Sequence, residues 1–204
     1  MNEPKGNIKR PYSVGYFSSY DRGLVILLGL WPRVKEKVPE ATLDIYYGWD
    51  MYDKFHSQNP ENMKWKWQMI KMIHQLDGVK ENGRVSHEKL AEAMKDIKVL
   101  AYPSEFTEIN MITMIKVLAA GCIPVTTGVG AVLETQGGFG YTVRCDDIYR
   151  NEEKQKEFVD ALVKALKQED YDPKPAQEWA AKSYWDKIAR VWDKAMSSHP
   201  GESG

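Results

Sequence analysis

Short apolar runs alternate along the chain with longer stretches in which apolar residues recur at helical spacing. That rhythm predicts strands alternating with helices, hence a parallel sheet covered by helices, the α/β class. The first strand is YSVGYF, Tyr12 to Phe17, and the turn SSYDRG leads from it into a helix over Leu24 to Val38. A second strand, TLDIYYG, ends at Gly48. A polar loop follows, then the helix ENMKWKWQMIKMIHQL with Met63, Trp67, Ile70 and Ile73 as its inward stripe. A short strand over Val79 to Val85 precedes the small helix SHEKLAEAMKD, where Ser86 stands at the N-cap position. IKVLAYP, INMITMIKVLAAG and CIPVTT read as strand, helix and strand, with Gly121 where a left-handed cap ends the helix.

After residue 150 the strand signals fade. Phe158, Ala161, Leu162, Ala165 and Leu166 form one apolar stripe, and Trp185, Ile188, Ala189, Trp192 and Met196 form another. The expected organisation is a flexible tail over 1–10, a Rossmann-like domain over 11–150, two helices packed on it over 151–196, and a disordered tail over 197–204.

Composition narrows the partners. The 204 residues include 28 basic and 29 acidic side chains, a net charge of −1, so no global field gathers nucleic acid and any anion site must be local. The 2 cysteines and 4 histidines lack metal-ligand spacing, which predicts neither a disulfide framework nor a metal site. MNEPKGNIKRPYS has no apolar core of a signal peptide, and GLVILLGLW is too short to cross a bilayer; no transmembrane segment and a cytoplasmic location are expected.

In an open parallel sheet, ligands bind beyond the carboxyl ends of the strands. There FSSYDRG offers Ser18, Ser19, Arg22 and Gly23 for phosphate oxygens at a helix start. Arg22 beside Asp21 also reads as a solvated surface pair, and the serines as turn residues. In PSEFTEINMITMIK, Glu105 and Glu108 read either as complements to a helix dipole or as ligands. If the helix runs from Glu108, residues 108, 112 and 116 share a face. Lys116 on that face either lies along apolar surface or pairs with Glu108, or it donates to a ligand.

AYPSEFTEINMITMIKVLAAGCIPVTT resembles the strand, loop, helix and strand of the donor-binding, C-terminal half of retaining GT-B glycosyltransferases, which carry an E-x7-E motif. SSYDRGL resembles their phosphate-binding first loop, GRVSHEKL their base-reading loop, GVGAVLET their small-residue turn, and SYWDKIARVW their closing helix. The resemblance runs from Tyr12 to about Trp192. It implies a nucleotide-sugar donor, retention of anomeric configuration, no obligatory metal and no other cofactor, and an acceptor pocket on a missing N-terminal domain or partner subunit.

Counting back from Gly121 aligns Glu108 with the motif's first glutamate and Lys116 with its second. The resemblance therefore gives Glu108 the donor sugar, while Lys116, which can only donate, stands where the family's glutamate accepts ribose hydroxyls. Phe17 stands where the family often has a further phosphate cation, leaving Arg22, with Lys116 as its possible complement. Gly48 and the backbone at Arg84 and Val85 would pass close to the nucleotide, and the amides at Ile109 and Asn110 would help hold its diphosphate. The acceptor is unknown. The alternative is a non-catalytic nucleotide-binding or interaction module on the same fold.

Overall fold

The computed structural model describes residues 9–198. Six strands, β1 (Arg10–Tyr16), β2 (Thr42–Tyr46), β3 (Val79–Gly83), β4 (Ile97–Tyr102), β5 (Ile123–Thr126) and β6 (Tyr141–Thr142), form one parallel sheet in the order β3-β2-β1-β4-β5-β6. The order reverses between β1 and β4, where Val14 pairs with Leu43 on one side and Val99 on the other. The connecting helices from these two strands leave in opposite directions and open a crevice at their carboxyl ends.

Helices α1 (Leu24–Lys37), α3 (Pro60–Gln75) and α7 (Glu152–Lys167) cover one face; α4 (His87–Asp96), α5 (Ile112–Ala119), α6 (Val132–Gln136) and α8 (Lys174–Ala181) cover the other. The central strands are apolar on both sides, with Val14, Tyr16, Leu43, Ile45, Val99, Leu100 and Val125 all buried, as burial between two helix layers requires. Helix α5 ends in a Schellman motif: Cys122 N–H donates to Val117 O and Gly121 N–H to Leu118 O, each at 2.9 Å, with Gly121 at φ 75°.

Several expectations shift. Strand β1 begins at Arg10, and the Lys9 ammonium donates to Met94 and Ile97 carbonyls at 3.2 and 2.9 Å, so the expected tail does not reach residue 10. The rest of that tail, 1–8, and residues 199–204 lie outside the described residues, while 197 and 198 belong to the last helix. The polar loop after Gly48 contains a helix, α2 (Asp50–His56), whose short amphiphilic sequence buries no residue fully and so carries no apolar period. In α3 the inward residues are Met69 and Ile73, with Trp65 and Met72 packed against the core, while Trp67 is 63% exposed.

Short α8 lies between the two expected terminal stripes, and those stripes behave differently. Phe158, Leu162, Ala165 and Leu166 of α7 are buried against the sheet. Helix α9 (Trp185–Ser198) leaves its stripe uncovered, with Trp185 85% and Trp192 64% exposed. No helix among the described residues is long and apolar enough to cross a membrane.

Candidate functional site

The β1–α1 loop is wound around a buried phenol. The Tyr16 hydroxyl lies 2.7 Å from Ser19 O and 2.9 Å from Arg22 O, and Arg22 N–H donates to Ser19 O at 3.0 Å. Gly23 closes the turn at φ 92°, and a Cβ there would lie 2.4 Å from Pro103 O. Only glycine lets the loops after β1 and β4 touch at this point. The contact brings the Arg22 Nη1 to 3.2 and 3.4 Å from the two Glu108 carboxylate oxygens and places its guanidinium 4.0 Å over the Phe106 ring. The Arg22 side chain remains 36% exposed, so part of its donor fork faces outward.

Glu108 is not on a helix. Its backbone forms a parallel bridge with Gly130, and its carbonyl accepts from Ala131 N–H at 2.8 Å. A Cβ on Gly130, at φ 64°, would stand 2.5 Å from Glu108 O. Pairing with the β5–α6 loop takes up the Glu108 backbone, and α5 starts only at Ile112. Positions 108, 112 and 116 therefore share no helix face. Ile109, 93% exposed, and Asn110 sit in the loop, so their amides are not helix-terminal ones as expected.

The Glu108 carboxylate is buried and accepts from the Tyr102 hydroxyl at 2.5 Å as well as from Arg22. Burial pushes the Tyr102 phenol up to about 12, and its bond to Glu108 adds to the rise; the Ser104 and Ser18 hydroxyls beside it act the other way. The folded phenol stays protonated where an unfolded one ionises near 10. Its contribution to stability is thus complete below pH 10 and is lost as pH rises through about 12. Tyr102→Phe is expected to shallow the fall of Tm between pH 10 and 12, measured by differential scanning fluorimetry across that range; an identical pH slope in both proteins contradicts this.

Gly48, Arg84 and Val85 meet at the carboxyl ends of β2 and β3. Tyr47 N–H donates to Gly83 O at 3.1 Å, and Gly48, at φ 81°, approaches so closely that a Cβ would be 2.9 Å from Arg84 N. Arg84 and Val85 line a cavity of about 210 Å³ together with Phe17, Tyr46, Tyr47 and Thr113. Phe17 is buried and stacked on Tyr46, ring centroids 5.4 Å apart, so the position without a cation is an aromatic wall.

Lys116 does not join Arg22 and Glu108. It is exposed on α5 and lines a groove facing α4 that shares His87 and Leu90 with the cavity of about 210 Å³. Glu105, the extra acid, caps a different loop by accepting from Tyr149 N–H at 2.6 Å. Sequence reasoning missed Tyr16 and Tyr102, whose aromatic strand-end positions look like ordinary core, and Phe106. Among the described residues no group of three or more His, Cys, Asp or Glu side chains is placed to hold a metal ion.

With this geometry the fold class is defined: a six-strand parallel Rossmann-like sheet matching one half of GT-B glycosyltransferases. The chain superposes on the pneumococcal O-GlcNAc transferase GtfA, solved in complex with UDP and GlcNAc, with a TM-score of 0.71 and 14% identity, covering 93% of this chain and 36% of that one. Against an α,α-trehalose-phosphate synthase (UDP-forming) from Burkholderia vietnamiensis the values are 0.68 and 11%, covering 92% and 44%. For sucrose-phosphate synthase from Thermosynechococcus elongatus they are 0.62 and 18%, covering 92% and 46%. The chain thus spans between about a third and half of the solved chains it resembles. No family model and no curated protein sequence matches it.

Proposed function

We propose that this domain holds the nucleotide-sugar donor of a glycosyl transfer that retains anomeric configuration, with the acceptor supplied by a second domain or a partner subunit. The observation that carries the reading is the Arg22–Glu108 pair at the crevice where strand order reverses. Arg22 offers outward N–H groups to a diphosphate, and buried Glu108, fixed by Tyr102, offers carboxylate oxygens to sugar hydroxyls. The nucleoside lies toward the cavity of Phe17, Tyr46, Arg84 and Val85.

In the transfer the bond from sugar C1 to the diphosphate oxygen breaks, and a bond from C1 to an acceptor hydroxyl oxygen forms. The hydroxyl proton passes to the departing phosphate oxygen. Negative charge grows on that oxygen in the transition state, where a fixed guanidinium stabilises it without reorganising. Lys116, on the groove side of α5, leaves this work to Arg22 alone. The uncovered stripe of α9 and the partial coverage of the solved chains support the need for a second body.

A non-catalytic nucleotide-binding module is the second reading, favoured by the ring wall at Phe17 where a second cation would otherwise stand. One thermal-shift panel of uridine, guanosine and adenosine diphosphates and their sugars tests binding. A ligand at 100 times its Kd is expected to raise Tm by roughly 5–10 °C; no shift from any of them overturns both readings. Labelled-donor turnover after adding an acceptor-bearing domain then separates them, since persistent binding without transfer selects the second.

A further inference from the structure

The groove between α4 and α5 has a cavity of about 720 Å³, a volume within the range of small-molecule sites. Its walls are apolar and short: Leu90, Ala91 and Met94 from α4 face Ala119 of α5 and its C-cap, Ala120. The remaining lining is Gln177, whose amide donates to Ala119 O at 3.2 Å, and three basic side chains, His87, Lys95 and Lys116. No carboxylate lines it. Lys95 is shared with Glu92 at 2.8 Å, while the Lys116 ammonium makes no hydrogen bond or ion pair among the described residues, though its carbonyl accepts from Ala120 N–H.

An apolar trough edged by cations and free of acids selects an occupant with a hydrocarbon body and a negative end. Helix α9 of a second copy offers no net negative charge to the groove's cations, since Lys187, Arg190 and Lys194 outnumber Asp186 and Asp193. A base finds its stacking rings in the adjoining cavity of Phe17 and Tyr46, whereas the groove itself holds no Phe, Tyr or Trp. We propose that the α4–α5 groove is a binding site for a single-chain lipid anion, its hydrocarbon chain lying along Leu90, Met94 and the three alanines and its anionic head paired with Lys116. The groove adjoins the cavity assigned to the nucleoside, sharing His87 and Leu90 with it, but uses neither Arg22 nor Glu108, so the lipid and donor readings stand on different contacts and are tested by different ligands.

Isothermal titration of the full chain with decanoate, decanol and acetate tests it. Decanoate is expected to bind one to one, acetate not to bind, and decanol to bind at least about fivefold more weakly than decanoate, the lost charge-assisted contact being the cause. Lys116→Glu, an exposed change that leaves the fold intact by circular dichroism, is expected to weaken decanoate about tenfold or more. Ala119→Phe, which fills the trough, is expected to abolish binding. The double variant Trp185→Ser, Trp192→Ser removes the exposed α9 stripe and is expected to bind decanoate as the parent does. Absence of decanoate binding, equal affinity for decanol, retention in Lys116→Glu, or loss in the α9 double variant would each overturn the proposal. A nucleoside diphosphate titrated into the same variants reports the donor site separately.

Discussion

Arg22→Ala is expected to lower affinity for a nucleoside diphosphate by about 10- to 100-fold, measured by isothermal titration at fixed ionic strength. A charge-assisted hydrogen bond is worth about 1.5–3 kcal/mol, and that range corresponds to the stated loss. Arg22 is expected to dominate because it is the cation at the crevice that the β1–α1 turn aims, through the two carbonyls gathered at the Tyr16 hydroxyl. The same substitution leaves buried Glu108 with only the Tyr102 donor, so Tm falls as well. Arg22→Lys keeps the charge but not the fork and is expected to recover part of the affinity. Unchanged affinity in Arg22→Ala contradicts the assignment.

Gly23→Ala is expected to destabilise the domain by about 2–4 kcal/mol, a drop in Tm of roughly 5–15 °C, and to weaken nucleotide binding with it. Two effects add. The backbone sits at φ 92°, where a side chain is strained, and the new Cβ would lie 2.4 Å from a carbonyl oxygen that belongs to the neighbouring loop rather than to a flexible side chain. Relief requires the loops after β1 and β4 to separate, and that separation pulls Arg22 from Glu108. Gly29→Ala is the matching control: it is inside α1 with nothing within 4 Å, and it is expected to be neutral or stabilising by about 0.5–1 kcal/mol. A Gly23→Ala protein as stable as its parent contradicts the account of how the two loops meet.

What the sequence disclosed follows from periodicity. Strands buried on both faces and helices with a clear stripe, such as β4 and α7, stand out, and Gly121 marks its helix end by a requirement for left-handed backbone. Helix α2 stayed hidden because a short helix burying no residue fully has no apolar period to read. The start of α5 was misplaced because the residues from Ile109 onward have helical composition, while what stops them is a tertiary pairing of Glu108 with Gly130. That pairing also decides Lys116. A shared helix face would have joined it to Glu108; with Glu108 in a loop, Arg22 takes the carboxylate instead.

The site was legible in its ends and not in its middle. Arg22, Gly23 and Glu108 announce themselves by residue type next to a strand end; Gly48 reads in sequence as room for a ligand, whereas the structure sets the Arg84 backbone against it. Tyr16 and Tyr102, which hold both members of the central pair, are indistinguishable in sequence from core aromatics; only their buried hydroxyls and partners reveal them. The α9 stripe reads as a packing face, and among the described residues nothing covers Trp185 or Trp192.

The most direct test is a crystal structure of the chain bound to the nucleoside diphosphate that raises Tm most. The expected result has diphosphate oxygens about 3 Å from the Arg22 guanidinium nitrogens, beside the Glu108 carboxylate, with the base toward Arg84 and Val85. A diphosphate bound away from Arg22, in the α4–α5 groove or at the β3 edge, would contradict it.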